Sequence, residues 1–440
     1  MIRGVFFTGL ILFTLLIKTN AIPAFARKYQ TSCVTCHSVY PKLNSFGVAF
    51  KLNGYQFPEG DEEQIKEKPL ILGAEAYKRV WPEAIWPGSI PGSSPIAFRI
   101  NGGFAYDKAK SNTPAEFSVP SAQIFMGGTF TEGISFFGSL LLAKGHNTNA
   151  LQMAYIRLND LFSNILSENA LNLHIGQFIP DITTYKNKHY SLTRALYALN
   201  TYVPSNGSSL KLSHRNFGIM GQVIGVEANG LINKRFRYAL GLTNGNALFG
   251  EDNKAKDFYG KVAYKLGGMA FDGSYAGDNS GTSDNNLTEK SIIVSFFAYS
   301  ASRLNDSEKD VSLFRFGSDI NVFYRNLNVI GGFITGMDED YYIPSGTTGN
   351  VRFNRKYNLF FGEANYMIYP WLVGVFRYER VKPQEIHSGL VDQESFNSVS
   401  RYIFHATALY TANFKFFVET IVTTDIPYEM NMFAGMDFAF

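Results

Sequence analysis

Cysteine is nearly absent from this chain, with only two in 440 residues. A disulfide-stapled scaffold is therefore excluded. A local zinc site is excluded too, since four nitrogen or sulfur ligands are needed and the next histidine after His37 is His146. Charge is also scarce: charged residues make up 18 % and the formal net charge is +3, too small an excess for a nucleic-acid partner. After the run Val5 to Ile17, no apolar stretch approaches the roughly twenty residues of a membrane-spanning helix. Phosphate loops, nucleophile elbows and convergent metal-ligand clusters are missing as well, which leaves hydrolase and transferase readings without support. Aromatic residues, at 15 %, and glycine are plentiful.

Both cysteines fall in one pentapeptide, Cys33-Val34-Thr35-Cys36-His37. Two thiols at this spacing can each form a thioether to a porphyrin vinyl group, and the adjacent imidazole then falls under the iron as proximal axial ligand. One covalently bound haem c is expected. A disulfide would leave His37 unexplained, and a thioredoxin-type motif would need a βαβ setting that this sequence lacks.

Arg3, the apolar run and Thr19-Asn20-Ala21 have the layout of a secretory signal peptide, with cleavage expected after Ala21 and Ala24-Phe25-Ala26 as the alternative site. The run is too short to serve as a membrane anchor. The expected organisation is a signal at 1–21, a haem-bearing segment at 22–69 and a third region at 70–440.

That third region alternates. Ile96, Phe98, Ile100, Phe104 and Tyr106 share one parity against Arg99, Asn101 and Asp107 on the other. Phe258, Val262, Tyr264 and Leu266 likewise oppose Lys261 and Lys265, and Phe314, Phe316, Ile320 and Val322 oppose Arg315, Asp319 and Asn321. Each run matches the roughly 9–11 residues of a tilted membrane-crossing strand and exceeds the roughly 5–6 typical of a soluble sandwich. Short turns are expected at 131–133, 267–268, 326–327, 369–370 and 411–413. Long polar loops are expected at 107–118, 180–216, 244–257, 278–288, 337–355 and 382–398. The expected fold is an all-β transmembrane antiparallel barrel of about sixteen strands, with eighteen as the alternative, because Ile292–Tyr299 and Ser302–Asp310 leave one crossing too many. The chain stops on an alternating strand ending in Phe440, which resembles the assembly signal of bacterial outer-membrane barrels. Arg99, Lys261, Lys265, Arg315, Asp319, Arg377, Lys415 and Glu419 fall on inward parities.

Residues 22–69 are too few to build a sufficient core without a cofactor or partner, so haem is expected to furnish much of the interior. Leu43, Phe46 and Phe50 recur at helical spacing and are expected to cover the porphyrin. Glu59–Lys68 reads as a solvated linker.

Pro23-Ala24-Phe25-Ala26-Arg27 before the haem motif, then Pro41, Leu43, Phe46-Gly47, Phe50 and Asn53-Gly54-Tyr55, make the segment resemble the outer-membrane monohaem cytochrome-porin fusions, a family that includes iron(II) oxidases. Gly176-Gln177-Phe178-Ile179-Pro180 more weakly resembles phosphate-selective porins. The family resemblance implies that the cytochrome segment lodges in the barrel's periplasmic mouth or lumen. It also implies electron transfer from an extracellular reductant, Fe(II) in the known members, to a periplasmic c-type cytochrome or other carrier, with outer-membrane lipid around the barrel. An anion-selective or general diffusion porin with a structural or sensory haem is the alternative. The acidic run Asp338-Glu339-Asp340, read as part of a long loop, is a candidate cation site.

The iron's sixth position is open in the sequence. Between Ile22 and Pro69 there is no methionine and no histidine besides His37, so any histidine ligand must come from the barrel. His174 and His405 fall on inward parities, and His189 lies in a stretch that could fold into the lumen.

Overall fold

In the computed structural model, residues 23–58, 60–67, 70–71, 89–90, 95–107, 115–131, 133–144, 147–184, 221–244, 254–274, 289–304, 310–343, 351–383, 398–424 and 429–440 are described. The predicted signal peptide and His189 lie outside them.

The amino-terminal segment contains helix α1 (Ala24–Tyr29), a hairpin of strands β1 (His37–Val39) and β2 (Lys42–Leu43), helix α2 (Ser45–Leu52) and a single helical turn, α3 (Asp61–Gln64). A two-stranded pair, β3 (Leu70–Ile71) and β4 (Ser89–Ile90), follows. Then come β5 (Ile96–Asp107), β6 (Ala115–Thr131), β7 (Ile134–Lys144), β8 (Asn147–Leu158), β9 (Asn172–Phe178), β10 (Val223–Ile232), β11 (Phe236–Asn244) and β12 (Lys256–Gly267). The remaining strands are β13 (Lys290–Leu304), β14 (Asp310–Tyr324), β15 (Leu327–Ile343), β16 (Val351–Tyr369), β17 (Leu372–Pro383), β18 (Val399–Thr411), β19 (Phe414–Thr423) and β20 (Glu429–Ala439). β5 to β20 form one closed antiparallel barrel of sixteen strands, sealed where Phe438 pairs with Ile100. Closure leaves no unpaired edge, which is what a strand-built membrane crossing requires. Among the described residues no helix is long and apolar enough to cross a membrane.

The period-2 alternation sets the two faces. Phe258, Val262, Tyr264 and Leu266 are exposed on the outside, while Tyr259, Lys261, Ala263 and Lys265 are buried inside. The same holds for exposed Phe314, Phe316 and Ile320 against buried Arg315 and Asp319. The outer apolar surface is rimmed at the short-turn end by exposed Tyr264, Tyr324, Tyr366, Tyr369, Trp371 and Tyr410, the girdle expected at a lipid–water boundary. The other inward assignments hold as well: Arg377, Lys415 and Glu419 are all buried.

The expected turns near 132, 326, 370 and 412 are short, and a further one joins β10 to β11. Two expectations are corrected. Gly267-Gly268 is not a tight turn between neighbouring strands, because β12 ends there and β13 resumes at Lys290. Residues 278–288 themselves lie outside the described set, but the connection containing them leaves and returns at the short-turn end, not the loop end. That accounts for the surplus crossing. Secondly, Asp338-Glu339-Asp340 sits within β15: Asp338 pairs with Arg355 beside a bulge, and the Glu339 carboxylate accepts from the Ser312 backbone N–H at 3.2 Å. Asp338 is held in the ladder, and Glu339 and Asp340 fall at the bulge within the same strand.

Candidate functional site

The haem motif lies inside the barrel at the short-turn end. Cys33 to Thr35 form one 3-10 turn, closed by the Cys36 N–H donating to the Cys33 carbonyl at 3.3 Å. His37 opens β1 immediately afterwards, opposite Leu43 of β2. Asn44 pins this turn to α2. Its Oδ1 accepts from the Gly47 N–H at 2.7 Å as the helix N-cap, and its Nδ2 donates to the Thr35 carbonyl at 2.9 Å. Its own backbone N–H donates to the Cys36 carbonyl at 3.0 Å. Gly47 allows this approach, because a Cβ there would stand 2.0 Å from the Cys36 carbonyl oxygen. Sequence reading missed Asn44, although an asparagine directly before a helical run is a recognisable cap signal.

The two cysteines are not joined to each other in a disulfide. Burial pushes the Cys36 thiol up to about 12, with the neighbouring Cys33 adding to the rise, and burial raises Cys33 also. Two half-buried sulfurs lie in a single turn, with an imidazole one residue on. The residues present fit a thioether-linked haem: Cys33 and Cys36 would hold it covalently and His37 would bind its iron.

Of the residues expected to cover the porphyrin, Leu43 lines a cavity and the two phenylalanines pack on other rings. Phe50 packs against Phe25 at 5.2 Å and Tyr29 at 5.8 Å between ring centroids, and Phe46 packs against Phe57 at 5.1 Å. These rings form an aromatic core with Tyr55, which stacks on Phe137 of the wall and shares a 2.5 Å hydroxyl contact with Tyr155. The barrel wall thus shares in the segment's aromatic core. Glu59–Lys68 is not a mere linker either. The Asp61 carboxylate accepts from the Tyr29 hydroxyl at 2.5 Å, the Phe57 N–H at 2.6 Å and the Lys28 ammonium at 3.2 Å.

Wall side chains hold the segment. Buried Arg157 donates to the Lys51 carbonyl at 2.6 Å and to that of Leu52, capping the carbonyl end of α2. Lys415 donates to the Tyr40 carbonyl at 2.6 Å, Lys42 to Asn328, and Asn53 to the Asp272 carbonyl at 3.0 Å. A cavity of about 130 Å³ adjoins β2 and α2. Leu43, Val48, Leu52 and Phe271 give it an apolar lining and Lys42 and Lys265 a cationic one.

The histidine candidates separate. His174, on β9, is half-buried, with its Nδ1 3.3 Å from a Glu227 carboxylate oxygen and its ring 5.1 Å from Tyr155. It belongs to the wall that receives Tyr55 and α2. His405, on β18, is buried, with Nδ1 3.0 Å from the Glu419 carboxylate. It belongs to the wall that receives β1, where Val39 packs with Met367, Val373 and Val375. The lumen also takes in the chain after β9, where Asp181, Ile182 and Thr183 are buried and Asp181 pairs with Arg237 and Lys261.

No family model and no curated protein matches the chain. Solved structures resemble it in fold. The anion-selective porin from Comamonas acidovorans aligns with 79 % of this chain and 99 % of its own length at a TM-score of 0.53 and 8 % identity. OmpF of Salmonella typhi aligns with 79 % of this chain and 98 % of its own at a TM-score of 0.48 and 11 % identity. What the first of these carries is the porin fold alone.

Proposed function

We propose that this protein is an outer-membrane electron-transfer cytochrome of the cytochrome-porin kind, in which residues 22–69 bear one covalent haem c. It takes an electron from an extracellular donor, in the reading the resemblance favours Fe(II) leaving as Fe(III), and delivers it to a periplasmic carrier. The observation that carries this is the placement of the only CxxCH motif inside the lumen, at the short-turn end, held by wall side chains. Short turns face the periplasm in bacterial outer-membrane barrels, so this end is the one a periplasmic carrier can approach. Hydrocarbon about 30 Å thick separates that carrier from an external donor, and a barrel wall allows a redox centre to sit partway across. When bound, the haem supplies one-electron exchange. The chain's own residues would attach it and fix its position against the wall.

The test is direct. After export in a host that matures c-type cytochromes, the full chain is expected to retain a haem stain through denaturing electrophoresis and to show haem reduction on anaerobic addition of Fe(II). Cys33→Ala and Cys36→Ala are each expected to weaken or abolish the stain. A wild-type band without stain removes the electron-transfer reading. The porin fold favours one alternative, a diffusion pore with a structural haem, for which porin-sized ohmic conductance of the purified protein would speak.

A further inference from the structure

The cytochrome segment provides one axial ligand, His37, and contains no second histidine and no methionine. The wall that receives β1 contains a histidine, His405, held by a carboxylate on one ring nitrogen. His405 has no solvent-exposed side-chain surface, and neither has Glu419. Its Nδ1 lies 3.0 Å from the Glu419 carboxylate, and its Nε2 is buried without a hydrogen-bond partner among the described residues. A carboxylate accepting from Nδ1–H fixes the ring tautomer and leaves the Nε2 lone pair pointing away, which is how metal-ligating histidines are ordinarily held. If the ring were instead an imidazolium, Nε2–H would be an orphaned buried donor. In either state Nε2 is left without a partner among the described residues.

Position distinguishes His405 from His174, which has a comparable carboxylate neighbour. Val375, in the cluster around Val39, stands directly opposite His405 in the β17–β18 ladder, at a spacing where inward side chains touch. Val39 shares β1 with His37. Lys415, which holds the Tyr40 carbonyl just beyond β1, shares the inward face of β19 with Glu419. The hairpin bearing His37 is therefore docked on the same few strands that present His405. His174 faces Tyr155 and Phe178 on β8 and β9, beside the opposite part of the segment.

We propose that His405, oriented by Glu419, is the second axial ligand of the haem iron, so that the barrel wall completes a bis-imidazole site begun by the CxxCH segment. This rests on the reading that the segment carries haem c. The coordination would tie the cytochrome segment to β18, and Glu419, as a positioning residue, would make the imidazole a stronger donor and hold the potential down.

The experiment uses the full chain with its covalent haem, purified in detergent, and reads the ferric spin state by visible absorption and electron paramagnetic resonance. The wild type is expected to be low-spin. His405→Ala is expected to become high-spin and to return to low-spin when free imidazole is added. His405→Met, which retains a ligand should the alanine variant fail to assemble, is expected to stay six-coordinate with a raised midpoint potential. Glu419→Gln should remain low-spin while its potential rises. A high-spin wild type, an unchanged spectrum in His405→Ala, or a spin change in His174→Ala instead would overturn the assignment. A wild type without covalent haem overturns the cytochrome reading along with it, and that outcome is distinguishable from a haem indifferent to His405.

Discussion

Arg157 is fully buried and directs its guanidinium at the two carbonyls that end α2, where an eight-residue helix would otherwise leave its last carbonyls without donors. Each charge-assisted bond of this kind contributes about 1.5–3 kcal/mol, so Arg157→Met is expected to weaken docking of the segment by a few kcal/mol. Limited proteolysis of the folded protein checks this: cleavage within 23–67 should be faster than in wild type, with the barrel core unaffected. Lys42 gives the docking a pH dependence. Burial outweighs the attraction of Glu363 and lowers its ammonium from 10.5 to about 8. The released segment therefore binds more protons than the docked one between those values, and docking strengthens as pH rises from about 8 to 10.5. Below that window the desolvation cost is constant. Replacement by methionine should flatten the rise, read from the protease sensitivity of the same segment across pH. A parallel slope in Lys42→Met and wild type would assign it to another group.

Each strand's two faces could be read from the sequence because lipid and lumen impose opposite demands on adjacent residues, as in Phe258 against Lys261 or Phe404 against His405. Connections were less legible. Polar residues at 278–288 look the same whether the connection hangs from one barrel end or the other, and only the strand order, with β12 followed by β13, decides it. Asp338-Glu339-Asp340 misled because acidic residues disfavour strands in isolation, whereas pairing with Arg355 and the Ser312 N–H extends β15 through them. Helix α2 was legible as a helix, but the partners of its rings were not. Its aromatic residues turn toward Tyr29, Phe25 and Phe57, which lie elsewhere in sequence and carry no periodic signal. Gly47 provides an element-scale test. A methyl group there meets the Cys36 carbonyl, so Gly47→Ala should force α2 away from the CxxC turn and lower covalent haem per mole of protein. Wild-type haem yield in that variant would mean the close approach is dispensable.

At the scale of the whole molecule, a sixteen-strand barrel encloses a lumen, and this one is occupied at its short-turn end by a folded segment. Phe25, Tyr29, Phe50, Phe57 and Tyr55 join Phe137, Tyr155 and Phe178 in a common aromatic core, and the polar contacts of Arg157, Lys415 and Lys42 close around it. Sequence length pointed to a segment too small to fold alone, and the structure answers with a partner that is the barrel itself. If the segment carries haem as proposed, conductance and electron transfer should separate in this protein. In planar bilayers the wild type is expected to pass far less current than an open sixteen-strand porin. Deleting residues 23–67 is expected to raise the unitary conductance while abolishing the haem stain. If wild type and deletion conduct alike at porin levels, the segment does not occlude the pore. The diffusion-porin reading would then displace the electron-transfer one.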